Sequence, residues 1–377
     1  MRTLLHLLAI VILSEIPAVT TTAADVEPLL KTLQAVGPEG AGHREAALAW
    51  EQLAEADVAD LPTILAGLDQ AGPLAANWIR TAIDAITERE LGRGGQLPAA
   101  ELERFVLDTQ HVPRARRLAY EWLCSVDQTA SARLIPRMLD DPSLELRRDA
   151  VGQWIEKAAS LEKSGKNEQA LATYQEAFAA ARDLDQIKLL AGRIGKLGGS
   201  VDLPRHFGFL VHWKLIAPFD NTDEKGHDVV YPPEKEIDPA ASLPGKHGPV
   251  QWIDHTTDDA YGTIDFNKAF REEKAVAGYA TTEFLSEKRQ EVQFRLTTLN
   301  AVKLWLNGTL IDEHVIYHAG SELDQYVSTG VLQPGRNVIL VKVCQNEQTQ
   351  SWAKTWQFQL RVCLPDGTAV LSSDRDQ

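Results

Sequence analysis

Apolar residues recur every three to four positions from about residue 25 to residue 200, and every second position after that. The first rhythm predicts amphipathic helices and the second predicts strands with one face buried. Residues 43–56 place Ala46, Ala49, Trp50 and Leu53 on one stripe. Residues 73–92 open on Pro and close on Gly, the usual order of helix ends. A further helix follows Pro113. Residues 140–158 open on a Ser143 cap and an acidic first turn, with basic residues after it and then Ala150, Val151, Trp154 and Ile155. Residues 165–178 and 183–199 supply two more helices, the second ending at a double glycine. Trp50, Trp78, Trp122 and Trp154 sit amid helical apolar spacing and read as core. "GRGG" at residues 92–95 reads as a helix stop.

Past Gly199 aromatics begin to alternate. Phe207, Phe209, Val211, Trp213 and Leu215 share one face at period two, as do Val292, Phe294 and Leu296, and Trp356, Phe358, Leu360 and Val362. Residues 336–346 form a fuller apolar run, expected of a strand buried on both faces. Several short strands with polar turns predict a β-sandwich. "VKLWLNGTLIDEH" (302–314) sets a bare Asn-Gly between two such runs, the strongest short hairpin signal, because both turn residues need positive φ. A two-residue turn predicts Leu306 opposite Thr309, Trp305 opposite Leu310, Leu304 opposite Ile311 and Lys303 opposite Asp312. That explains the Asn-Gly by backbone geometry alone. The formal glycosylation sequon at Asn307 would be poorly exposed in so tight a turn. "YPPEKE" (231–236) reads as a stiff linker or a long sandwich loop.

Length and charge narrow the class. The chain has 377 residues, natural for two domains, and a net charge of -15 that disfavours nucleic acid as a partner. Arg2, the apolar run 4–13 and the small residues Thr22, Ala23 and Ala24 resemble an export signal, although His6 and Glu15 depart from the pattern. Residues 1–24 are therefore expected to be a signal peptide, 25–200 an α-helical domain and 201–377 a β-sandwich. The mature chain shows no second long apolar stretch and is expected to have no membrane span, in a secreted or periplasmic location. Cys124, Cys344 and Cys363 are too few for a disulfide scaffold and wrongly spaced for zinc. Cys124 reads as core. Cys344 and Cys363 are either a pair or two separate buried thiols.

Residues 140–158, with an Asp-Pro turn before a helix carrying an Arg, resemble the second half of a HEAT-type repeat. Gly165, Ala170, Tyr174 and Ala177 match the first helix of a tetratricopeptide-like unit. Residues 300–346 resemble the galactose-binding-like jelly roll through Trp305, Asn307, Gly308, His318, Gly320, Pro334, Gly335 and Asn337. The whole chain resembles a family of secreted bacterial proteins, seen especially in planctomycetes, that joins HEAT-like helices to such a domain. The resemblance implies a multidomain α plus β protein whose sandwich is sugar-binding and non-catalytic, and it carries no catalytic pair. The helical part is then either a solenoid surface for a protein partner or a compact domain with none.

Three loops hold the residues expected to bind a ligand: Trp252, Asp254, His255 and Tyr261; His318, Asp324 and Tyr326; Gln345, Asn346 and Trp352. Sugars are held by planar hydrogen-bonding groups with an aromatic face under the ring, and these loops supply both. A glycan or a protein ligand is the expected partner. The alternatives are a scaffold whose sandwich only packs, and an enzyme component of the glycoside hydrolase kind, which needs two carboxylates about 5–10 Å apart in a cleft. A binding module should expose an aromatic beside Asp, Gln or His, whereas a scaffold should bury it. No cofactor or catalytic metal is expected; a structural calcium follows only by analogy to the fold, with residues 220–228 a loose match to a calcium loop. Nucleophile elbows, phosphate loops and HExxH are absent.

Overall fold

The computed structural model describes residues 25–318 and 320–375, so the expected export signal lies outside the described residues. Compact units divide between Leu134 and Ile135. The secondary structure changes from helix to strand much later, near residue 210.

The first unit is helical: α1 Val26–Gln34, α2 His43–Leu53, α3 Leu61–Ala66, α4 Pro73–Gly92, α5 Ala99–Leu107, α6 Pro113–Val126 and α7 Ala130–Leu134. Arginines tie these helices together through carbonyls left open at chain turns, the groups that helix ends cannot satisfy internally. Arg89 binds the carbonyls of Ala54 and Ala56, Arg114 those of Leu68 and Ala71, and Arg116 that of Val106. The tryptophans correct the expectation of a fully buried core. Trp50, Trp78 and Trp122 are half-buried, as is Trp154 in the second unit. The indole N–H of Trp50 donates to Thr81 and that of Trp122 to Asp84. Cys124 is likewise half-buried rather than core.

The second unit begins with α8 Leu144–Lys163, α9 Asn167–Ala180, α10 Leu184–Lys196 and α11 Leu203–Phe207. Ser143 caps α8 by accepting from the Leu146 amide, and Arg147 donates to the Asp141 carbonyl at 2.8 Å. Ala170, Tyr174 and Ala177 are buried among these helices. One strand starts later than the alternation predicts. Asp202 accepts from the Arg205 amide, which nucleates α11, and Gly208 ends it at φ +80. Phe207 and Phe209 therefore pack with the helices, while Trp213 and Leu215 point into the sheet core.

Two antiparallel sheets follow. The strands are β1 His212–Asp220, β2 Ser242–Gly245, β3 Gly248–Gln251, β4 Ile253–Thr256, β5 Ile264–Asp265, β6 Val276–Ser286, β7 Gln290–Thr298, β8 Ala301–Leu306, β9 Thr309–His314, β10 Tyr326–Leu332, β11 Gly335–Gln345 and β12 Gln357–Cys363. The order β4-β1-β6-β11-β8-β9 makes one sheet and β10-β7-β12-β5 the other, while β2 and β3 form a hairpin of their own. The two larger sheets face each other across one core that includes Phe284, Phe294, Val341, Trp356 and Phe358. Residues 222–252 cover the far side of the six-stranded sheet, where Lys342, fully buried, donates to Glu234 and to the carbonyls of His227 and Val229. "YPPEKE" belongs to this cover, with Pro232–Lys235 forming a short helix.

The Asn-Gly is a tight turn with φ +51 and +78, as its chemistry requires. The register agrees for Leu306 opposite Thr309 and Trp305 opposite Leu310. It then slips: Leu304 lies opposite Asp312, and Lys303 opposite Glu313. A bulge at Ile311 inserts one residue, so Ile311 still packs on the core while Asp312 leaves Lys303 for His314 at 2.9 Å. Asn307 is exposed, but its amide nitrogen donates to Asn337 at 3.0 Å.

Candidate functional site

Of the expected ligand residues, the fold brings His318, Asn346 and Trp352 together. They lie on the β9–β10 and β11–β12 loops, beside the turn that follows β1. His318 stands at φ +58 with its backbone N–H donating to Leu299. Its Nε2 lies 2.9 Å from Asn346 Oδ1. The Asn346 amide nitrogen donates to Glu224 at 3.1 Å, so its oxygen is the acceptor and His318 Nε2 carries the proton. His318 Nδ1 is then a buried acceptor without a partner among the described residues, as is Asn221 Oδ1.

Trp352 is 58% exposed. Its ring stands edge-on to His318 at 5.1 Å and 87°. The turn that carries it is held from behind, where Gln345 Nε2 donates to the carbonyls of Ala353 and Thr355 and Lys274 donates to Ala353. Gln345 is thus fully buried framework and not a ligand contact. Around the platform, Glu347 accepts from the Asp223 amide at 2.6 Å, and Asn221 donates to the Tyr317 hydroxyl at 3.1 Å. Burial raises the Tyr317 phenol above its ordinary range, which keeps it protonated. Val315 and Ile316, just before, are also exposed. A rigid aromatic face bordered by carboxylates and amides can stack an apolar ring face and accept hydrogen bonds from hydroxyls.

Glu224, Asn221 and Tyr317 were not among the expected ligand residues, whereas Glu347 lies in the loop expected to supply them. Asp223 and Glu224 both have positive φ, and "DNTDEKGHD" gave only a composition signal. Its carboxylates are engaged locally: Asp220 with Thr222 and Lys246, Asp223 with Lys225, and Asp228 with His227. Among the described residues, no three His, Cys, Asp or Glu side chains come together as a metal cluster.

The other expected residues lie elsewhere. Trp252 is half-buried over the outer face of the six-stranded sheet. Asp254 and His255 sit on the edge strand β4, Asp254 paired with Lys214. Tyr261 packs against Phe207. Tyr326 stacks on His314 with ring centroids 3.6 Å apart. Asp324 bridges Arg295 and Arg361. Sharing a sequence loop did not place these groups together, because the two sheets turn successive loop residues toward different layers.

No family model and no curated protein matches the chain. Among solved structures, part of it is similar to a family 35 carbohydrate binding module from Clostridium thermocellum, at 12% identity over 27% of this chain and 88% of that one, with a TM-score of 0.18. Part is similar to an uncultured Clostridium sp. β-glucuronidase (11% identity, 42% of this chain, TM-score 0.27), of whose length the match spans 29%. A β-glucosidase from Kluyveromyces marxianus is similar at 11% identity over 75% of this chain and 36% of that one, with a TM-score of 0.28. At these TM-scores the likenesses carry no argument about what this chain does. No helix among the described residues is long and apolar enough to cross a membrane.

Proposed function

We propose that this chain is a non-catalytic glycan-binding protein of the cell exterior or periplasm. In this reading its paired sheets are a galactose-binding-like jelly roll and its helices are HEAT-like repeats. The observation that carries it is Trp352, exposed and braced by His318 at the loop end of the sheets. A scaffold that used its sandwich only for packing would bury that ring. Burying the free face of a Trp under a sugar stabilises a complex by roughly 1–3 kcal/mol, enough to make one ring decisive for a weak binder. The Glu224 and Glu347 carboxylates supply the polar contacts that orient a ring, while the buried Asn346 amide holds His318 and Glu224 in place.

A glycan array probed with the full chain, with calcium or with chelator, tests the reading. Specific binding should fall at least tenfold in Trp352→Ala and in His318→Ala. Trp252→Ala should leave it unchanged, since that ring is half-buried over the outer face of the six-stranded sheet and makes no contact with Trp352 or His318 among those described. Binding that survives Trp352→Ala, or a folded chain that binds no glycan, would overturn the assignment.

A further inference from the structure

A second cleft in the same unit has a different chemistry. Arg295 and Arg361 face each other directly across β7 and β12. Like charges directly opposite in a sheet are destabilising, and here one carboxylate, Asp324, lies between them and accepts from both guanidiniums. Against this sheet face lie the first residues of α8 and α10, Leu144 and Leu184, with Arg182 just before α10. The cleft has a volume of about 530 Å³, within the ~300–1,000 Å³ range of organic-ligand pockets.

The buried charges do not balance. Arg147, Arg295 and Arg361 have side chains 7%, 16% and 4% exposed. Arg182 is half-buried. Their carboxylate partners are Asp324 and Asp366, leaving four guanidiniums against two acids. Asp366 pairs with Arg147 at 3.3 Å. Arg182 has only neutral partners, the Thr368 hydroxyl and the carbonyls of Ala179 and Ala181; among the described residues it has no carboxylate within ion-pair distance. The rim acids do not fill the gap. Asp183 is taken by Arg148 at 3.2 Å, and Glu322 is exposed to water. Burial, and then the Arg147 and Arg361 charges, lower the Arg182 pKa against the opposing pull of Asp366, so its charge is disfavoured where it stands. The amino ends of two long helices add partial positive charge to the same space.

We propose that this cleft is an oxyanion-binding site, which takes the carboxylate or phosphate group of a small organic acid against Arg182 and the Arg295–Arg361 pair. Guanidinium forks match either group, and the volume exceeds what a bare ion fills. The site is independent of the Trp352 platform.

Calorimetric titration of the full chain at constant ionic strength, with inorganic phosphate, glucose 6-phosphate and gluconate as separate probes, tests this. At least one should bind saturably. Preference for glucose 6-phosphate over gluconate would mark a phosphoester ligand, the reverse a sugar acid, and equal binding of inorganic phosphate a free anion. Arg182→Gln should weaken binding at least tenfold with unchanged near-ultraviolet dichroism. Asp366→Asn removes a carboxylate that lines the cleft and acts on Arg182, and should tighten binding several-fold, which decides the matter should Arg182→Gln fold poorly. Trp352→Ala should leave these affinities unchanged, so this site and the glycan platform fail separately. No saturable binding of any probe to the folded wild type, or wild-type affinity in folded Arg182→Gln, would overturn the assignment.

Discussion

His206 is the residue at which the second unit is most exposed to acid. Its Nε2–H donates to the Ala181 carbonyl at 3.0 Å, and its ring lies 4.3 Å from Phe178. Burial lowers its pKa from 6.5 to about 4, with Arg182 and Arg361 adding to the shift and the Ala181 carbonyl opposing it. The unfolded chain therefore takes up a proton below pH 6.5 that the folded chain refuses until about pH 4. That contribution is fully present above pH 6.5 and is lost as pH falls to about 4, about 3 kcal/mol in all. His206→Gln should remove this part of the pH dependence: urea unfolding at pH 7 and pH 4 should show the variant losing about 3 kcal/mol less than the wild type. The buried thiols behave differently. Cys344 and Cys363 are free and sit in different sheets, and burial pushes Cys344 up to about 12 and also raises Cys363, so neither is a nucleophile at neutral pH.

Among the elements, the β8–β9 hairpin and the turn before β11 form one hydrogen-bonded knot. Asn337 is fully buried, and its amide nitrogen donates to the carbonyls of Phe284, Gln333 and Gly335. Its oxygen accepts from the Gln333 amide and from Asn307, whose own oxygen accepts from the Val338 amide. Three strands, β6, β8 and β11, are thereby pinned at one end. Asn337→Ala leaves several of these groups dry and unpaired and should cost about 3 kcal/mol, read as a lower urea midpoint. Asn307→Ala, at the exposed end of the knot, should cost about 1 kcal/mol. The Asn-Gly was legible in sequence because its turn chemistry is local. The bulge at Ile311 was not, since alternation gives the faces of a strand and says nothing about an inserted residue. The partnership of Asn307 with Asn337 was hidden for a related reason, because it spans thirty residues and follows from sheet order.

At the scale of the molecule, composition and packing place the boundary differently. The change from helical to alternating periodicity near residue 200 marks a real change of secondary structure, and periodicity could report no more. Which helices pack with which sheet depends on groups far apart in sequence: Arg361 donating to the Phe207 carbonyl, Arg147 to Asp366, and Arg182 to Thr368. The same limit explains the candidate site. Trp352 and His318 were legible as types, but Glu224 and Asn221, which bond to Asn346 and Tyr317 beside them, come from a turn more than ninety residues earlier. A fragment beginning at Val201 would strip α8, α9 and α10 from Phe207 and Phe209 and remove Arg182 from Thr368. Uncovering two aromatic side chains at ~25 cal/mol per Å² of apolar surface costs about 4 kcal/mol, a large share of the 5–15 kcal/mol that holds a typical domain together. Residues 135–377 should therefore fold cooperatively, whereas residues 201–377 should be markedly less stable, with a midpoint lowered by 10 °C or more at ~4–8 °C per kcal/mol for small domains and about half that for larger ones. Thermal unfolding of the two fragments, followed by near-ultraviolet dichroism, checks this; equal midpoints would mean that α8, α9 and α10 contribute nothing to the stability of the sheets.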